Sequence, residues 1–208
     1  MTMRILKAVQ VFAVSVMIAG SLAAHVFAAA PQPAFLRNNQ PGEMHRRLNA
    51  LVGDWNVKKS TYIIGGTPDK PIVSDKLTCH REWIEGTGER HILDITKGTL
   101  GKDHYQRLGV LSYSTMDRRY EWNTVDMLNT MMMTYKGAKG SGAKTGDIVM
   151  RGEFTDSGLL GDQSVGKTIH QRTIIHILSP DSHVFELYFT PPGGKERLID
   201  RMVYTRHK

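Results

Sequence analysis

From Trp55 to the end of the chain, apolar and polar residues alternate with a period of two in about ten short runs, and no long helical pattern interrupts them. Trp55, Val57, Thr61 and Ile63 alternate with Asn56, Lys58 and Ser60, and Leu77, Cys79 and Trp83 alternate with Lys76, Thr78, His80 and Glu82. Further runs lie near 88–97, 104–114, 118–127, 130–137, 146–155, 167–178, 183–190 and 196–206. The separators carry turn chemistry, as in Gly65-Gly66-Thr67-Pro68, Glu85-Gly86-Thr87-Gly88, Ser179-Pro180-Asp181 and Pro191-Pro192-Gly193-Gly194. Links this short leave no room for the crossovers that parallel strands need. About ten antiparallel strands therefore form a sandwich or an up-and-down barrel. Short links between sequence neighbours favour the barrel, and closure removes exposed edges. The expected fold is all-β: an antiparallel up-and-down barrel of about ten strands with one short N-terminal helix. That helix spans 42–51, where Met44, Leu48 and Leu51 recur at helical spacing, Glu43 precedes Arg46 and Arg47, and Gly53 follows.

Residues 1–28 read as an address. Arg4 and Lys7 precede an apolar run from Ala8 to Ala24, and Val26-Phe27-Ala28 supplies an Ala-x-Ala-like end. This predicts a cleaved signal peptide and a periplasmic or secreted product, with cleavage after Ala28 or, alternatively, after Ala24. The run is shorter than the roughly 20 residues of a membrane span, so no stable anchor is expected. Residues 29–42, rich in Pro and polar residues, are expected to be a disordered linker, and 43–208 the barrel domain. Loss of the leader removes two cations and no acid from a chain of formal charge +7. The remaining basic residues are scattered or paired, as at Lys58-Lys59 and Arg118-Arg119. That pattern describes solvated strand faces and argues against nucleic acid as a partner. The chain has one Cys, so it has no internal disulfide and no multi-Cys zinc site.

The sequence around the helix and first strand, His45 to Leu51-Val52-Gly53-Asp54-Trp55, resembles the Gly-x-Trp opening of calycin barrels, the lipocalin and fatty-acid-binding group. More specifically, the chain is similar to domain-of-unknown-function family 1579. The similarity runs through Gly109-Val110-Leu111-Ser112-Tyr113, Arg118-Arg119-Tyr120 and Trp122, then His183 to Tyr188, Gly194-Lys195-Glu196 and Tyr204-Thr205-Arg206. It covers about residues 44–207, although Ser112 stands where the family usually has Gly. The resemblance implies a lipocalin-like barrel and supplies no reaction. From the calycins it implies structural roles for Gly53, Trp55 and Arg206, with the Arg206 guanidinium over the Trp55 indole at the barrel floor.

Gly161-Asp162-Gln163-Ser164-Val165-Gly166-Lys167-Thr168 spells the phosphate-loop pattern. The β-branched run after it reads as a strand, where that chemistry needs a helix, so the match is taken as a hairpin loop. Neither a metal-binding His pair nor a nucleophile with its base is apparent. Glu82, Asp94, Asp126 and Glu186 are dispersed carboxylates, and no catalytic residue, metal or cofactor is assigned. Two cofactor chemistries are compatible with the composition: haem on a single cavity His, and Cu(I) on Met127, Met131, Met132 and Met133. The favoured partner is a small apolar or amphipathic molecule inside the barrel, with candidate contacts Trp83, His91, Trp122, Arg172, His176, Phe185 and Tyr188. The alternative is a cell-envelope structural or interaction protein with a packed barrel. The sequence leaves oligomeric state open.

Overall fold

The computed structural model describes residues 31–143 and 146–208. The leader expected over 1–28 lies outside the described residues, as do Ala29 and Ala30. Among the described residues no helix is long and apolar enough to cross a membrane.

Ten strands close into one antiparallel barrel. They are β1 (Gly53–Thr61), β2 (Ile72–Trp83), β3 (His91–Leu100), β4 (Asp103–Ser114) and β5 (Arg119–Asp126), followed by β6 (Met133–Lys136), β7 (Ile148–Thr155), β8 (Thr168–Ser179), β9 (Ser182–Thr190) and β10 (Arg197–Arg206). Each strand pairs with its sequence neighbours, and β1 closes on β10 from Trp55 opposite Arg206 to Thr61 opposite Asp200. The up-and-down barrel expected from the alternation is the architecture observed. The run near 130–137 shortens to Met133–Lys136 because the preceding residues fold back on side chains. Asp126 Oδ1 accepts from the Leu128 N–H, and Asn129 Oδ1 accepts from the Met131 N–H. The phosphate-loop spelling lies in the β7–β8 connection, and Thr168 opens a strand.

Two short helices precede the barrel. Helix α1 (Ala34–Asn38) lies within the lead expected to be disordered, and its end is tied down. The Thr115 hydroxyl donates to the Asn38 carbonyl and Arg90 Nε to the Asn39 carbonyl. Helix α2 (Glu43–Arg47) continues as a 3₁₀ turn, Leu48–Leu51, and together they form the short helical segment expected over 42–51. Leu48 and Leu51 are fully buried and plug one barrel end. The plug is fastened from the walls. Trp55 Nε1 donates to the Leu51 carbonyl at 3.0 Å, Trp83 Nε1 to Asn49 Oδ1 at 2.8 Å, and Tyr120 Oη to the Met44 carbonyl at 3.2 Å.

The floor that the calycin resemblance implies is present. The Arg206 guanidinium carbon stands 4.3 Å from the Trp55 ring centroid. Arg206 Nη1 donates to the Val52 carbonyl, and Nη2 to the Pro180 carbonyl at 2.6 Å. Gly53 makes this approach possible. Its φ is +122°, and a Cβ there would lie 2.5 Å from Arg206 Nη1. Gly53→Ala is therefore expected to cost about 1–3 kcal/mol by urea denaturation. A loss no larger than that of an exposed-loop substitution would remove Gly53 from this role.

Candidate functional site: a cavity over a buried charge network

The interior has two storeys. The lower, next to the plug, is filled, and charged side chains occupy its centre. Asp94 on β3 is 1% exposed and lies between Arg81 on β2 and Arg107 on β4, which are 3% and 5% exposed. Arg81 Nε reaches Asp94 Oδ2 at 2.5 Å, and Arg107 Nη2 reaches Asp94 Oδ1 at 3.1 Å. Burial alone would raise the Asp94 carboxyl. The two guanidinium charges outweigh it and hold the carboxyl well below the usual range.

The second partner of Arg81 is His183 on β9, with 2.6 Å between Arg81 Nη1 and His183 Nε2. An arginine cannot accept, so Nε2 is the acceptor and the imidazole is neutral with its proton on Nδ1. Burial, with the Arg81 charge beside it, pushes His183 down to about 2. The ring stacks on Tyr204 at 4.2 Å and meets Trp55 edge-on at 4.4 Å, which joins the network to the barrel floor.

Cys79 is sealed into the same layer. Its thiol lies 3.6 Å from Asp94 Oδ2, and burial together with that charge pushes its pKa up to about 11. A thiol with so little thiolate is expected to ignore iodoacetamide at pH 8 until the chain is unfolded. Alkylation of the native protein at the rate of the unfolded chain would overturn this.

The upper storey holds a cavity of about 140 Å³. It extends from Arg107 toward the end where the β1–β2, β5–β6 and β7–β8 connections lie, opposite the plug. Six aromatic rings line it, those of Tyr105, Trp122, Tyr135, Phe154, Phe185 and Phe189. Nearer the mouth it is lined by Ile63, Leu100, Met131 and Leu159. Trp122 lies close against β4 because residue 109 is glycine, where a Cβ would stand 2.5 Å from the indole nitrogen. Arg107 lies beneath, its guanidinium carbon 5.0 Å from the Trp122 ring and 5.7 Å from the Phe185 ring.

Polar groups enter this space from several strands. Lys59 on β1 ion-pairs with Asp200 on β10 at 2.6 Å, and the Thr61 hydroxyl donates to the other Asp200 oxygen at 2.8 Å. Burial alone would lower Lys59, but the Asp200 charge and hydrogen bond, together with Tyr105, outweigh it and raise Lys59 above its ordinary value. The buried atoms Arg107 Nε, Trp122 Nε1 and Gln171 Oε1 have no hydrogen-bond partner among the described residues.

Of the residues singled out in the sequence, Trp122 and Phe185 line the cavity. The other five do not, and their expected inward facing is corrected. Trp83 points to the plug end and holds Asn49. His91 lies on the outer face of β3, because Ile92, Asp94 and Thr96 are the residues that turn inward. On β8 the inward residues are Gln171, Thr173 and Ile175, so Arg172 and His176 face outward. Tyr188 also faces out, since Phe185 and Phe189 take the inside of β9. The structure gathers these last three on the outer wall. Arg172 pairs with Glu196 and stacks on Tyr188 at 4.2 Å, and Glu186 joins Tyr188 to His176. Met131 and Met133 line the cavity, while Met127 and Met132 are exposed. Among the described residues no three His, Cys, Asp or Glu side chains gather to hold a metal ion.

The residues that sequence reasoning missed are Lys59, Arg81, Arg107, His183, Tyr105 and Tyr135. One available signal was Tyr105-x-Arg107-x-Gly109-x-Leu111, a charge placed in phase with apolar residues along one strand face.

Comparison with known proteins gives a match over residues 40–206 to the family described as Protein of unknown function (DUF1579). Among curated proteins none matches. Among solved structures, an S-type phycobiliprotein lyase, CPES from Guillardia theta, superposes with a TM-score of 0.48 at 13% identity. The alignment covers 86% of this chain and 99% of the lyase.

Proposed function

This chain belongs to the DUF1579 family, and we propose that it is a binding protein that takes a small apolar or amphipathic molecule into the upper half of its barrel. The observation that carries this reading is the cavity of about 140 Å³, walled by six aromatic rings and supplied with convergent polar groups. Empty apolar space forgoes dispersion contacts, and interiors this well packed elsewhere rarely leave it unfilled without a use. An apolar cavity of about 150 Å³ accepts benzene, so the enclosed part of a ligand is about one ring or a short alkyl chain. Any longer portion would lie in the mouth, beside Met131 and Leu159.

Two measurements test this. Native mass spectrometry of the protein from its own source is expected to show an added organic mass that leaves on denaturation. Titration with a neutral phenylalkanol is expected to change the tryptophan fluorescence, because Trp122 lines the cavity while Trp55 lies in the packed floor. A clean apo mass together with an unresponsive spectrum would sink the binding reading.

The pattern over residues 1–28 further supports the inference that the protein is exported. N-terminal sequencing of the product is expected to begin at Ala29, or at His25 for the alternative site. An intact Met1 in the mature protein would refute export by cleavage.

A further inference from the structure

The geometry points to an uncharged ligand, because the charged groups inside the barrel are matched with one another and leave no counter-charge for a guest ion. The assignment rests on the reading of the cavity as a binding site, and it names the ligand class.

Three cations, Lys59, Arg81 and Arg107, enter the interior, and so do three carboxylates, Asp94, Asp126 and Asp200. Lys59 has Asp200 at 2.6 Å, and the two guanidinium groups share Asp94. The third carboxylate, Asp126, stands directly across the β4–β5 ladder from Arg107. Its Oδ1 accepts from the Leu128 N–H and from Asn129 Nδ2. Asp200 keeps Lys59 protonated, the two arginines keep Asp94 ionised, and His183 stays neutral. Asp156, at the end of β7, does not line the cavity and is satisfied by the N–H groups of Gly158, Leu159 and Leu160.

A guest ion would therefore leave water for a site whose charges are already committed, and burial of an unpaired charge costs far more than burial of a neutral polar group. The aromatic walls do not change this for a cation. Lys59 already stands 5.4 Å from the Tyr105 ring, and Arg107 lies over Trp122 and Phe185. Phe154 and Phe189 pack on each other at 4.9 Å.

Hydrogen bonding gives the same direction. Among the lining residues, the buried atoms without a partner are of both kinds. Arg107 Nε and Trp122 Nε1 are donors, and Gln171 Oε1 is an acceptor whose amide nitrogen donates to Met133 Sδ at 3.8 Å. A carboxylate can serve only donors and an ammonium only acceptors, whereas a hydroxyl or an amide can serve either. The ligand class is a compact neutral molecule with an aromatic or short alkyl body, such as an alcohol or a primary amide.

The test uses four probes that share one skeleton: 4-phenylbutan-1-ol, 4-phenylbutanamide, 4-phenylbutyrate and 4-phenylbutylamine. Each is titrated into the full chain at pH 7 by calorimetry. The alcohol and the amide are expected to bind at least about tenfold more tightly than the acid and the amine. Asp126→Asn keeps the Oδ1 acceptor for Leu128 and Asn129 but removes one negative charge at the mouth. It is expected to tighten the acid at least about threefold and to leave the alcohol within about twofold. Acid or amine binding as tightly as the alcohol would overturn the uncharged assignment while leaving a binding barrel. Acid affinity unchanged in Asp126→Asn would show that charge balance does not set the selectivity. Failure of all four probes to bind would remove the binding reading itself.

Discussion

Replacing Asp94 by Asn is expected to destabilise the barrel by about 3–5 kcal/mol, the largest effect of any single side chain considered. Asn keeps the shape of the carboxylate and one acceptor, but it removes the only charge between Arg81 and Arg107. Two guanidinium groups would then face each other where no water reaches them, since both side chains are nearly inaccessible. Neither can shed its proton, because arginine does not titrate in the accessible range. Against a typical stability of about 5–15 kcal/mol, such a loss takes a large share of the total. The contrast is Glu196→Gln, which breaks the Arg172 pair on the outer wall. That pair is open to solvent and screened by salt, so its loss is expected to cost less than about 1 kcal/mol. Urea denaturation of both variants at low temperature gives the comparison. If Asp94→Asn falls within 1 kcal/mol of the parent, the triad does not hold the lower storey together.

The distinction between these two ion pairs was not visible in the sequence, and the reason is physical. Period-two alternation shows that a segment is a strand, but it identifies the inner face only where one face is clearly polar. On β3, the outward set His91, Leu93 and Ile95 is more apolar than the inward set Ile92, Asp94 and Thr96. The inside of this barrel carries the charge network, so the usual sign of the pattern is reversed there. On β8, Ile174 and Ile175 are adjacent and face opposite ways, and either register reads as amphipathic. Phe185 and Trp122 were legible because bulky aromatic residues strongly favour the inside at these positions. The closed barrel and the short helix before it were legible for a different reason, because turn chemistry and helical spacing are written contiguously, and the floor of Gly53, Trp55 and Arg206 was legible only through the resemblance to the calycins. The pairing of Arg81 with His183 joins residues 102 positions apart, and no local pattern carries it.

Acid should weaken this fold well before its carboxylates titrate, because His183 is held neutral. Its pKa is pushed down to about 2 in the folded protein, against an ordinary value of 6.5. Below pH 6.5 the unfolded chain therefore binds a proton at this residue that the folded chain refuses. Stability falls as pH falls through that window, with a slope approaching 1.4 kcal/mol per pH unit. Between pH 6.5 and 4.5 the loss reaches about 2–3 kcal/mol. The groups facing the ring are Arg81, Asp94, Arg206 and Tyr204. The Arg81 and Arg206 charges oppose protonation, and Asp94 favours it but is already committed to two arginines. His45, lowered chiefly by burial in the plug, acts in the same direction. His80 acts in the opposite one, since its hydrogen bond with Asp54 raises it, but that pair is half exposed and its contribution is small. Below about pH 4 the depressed Asp94 joins in, because its carboxylate stays ionised in the folded state while the unfolded chain takes up a proton. The slope is expected to steepen there. His183→Gln keeps a side-chain acceptor for Arg81 and cannot titrate. It is expected to lower stability at pH 7 but to lose about one proton's worth of slope between pH 6.5 and 4.5. Parent stability that stays level across that window, or a Gln variant with the parent's full slope, would show that His183 is not the group that makes the fold acid-sensitive.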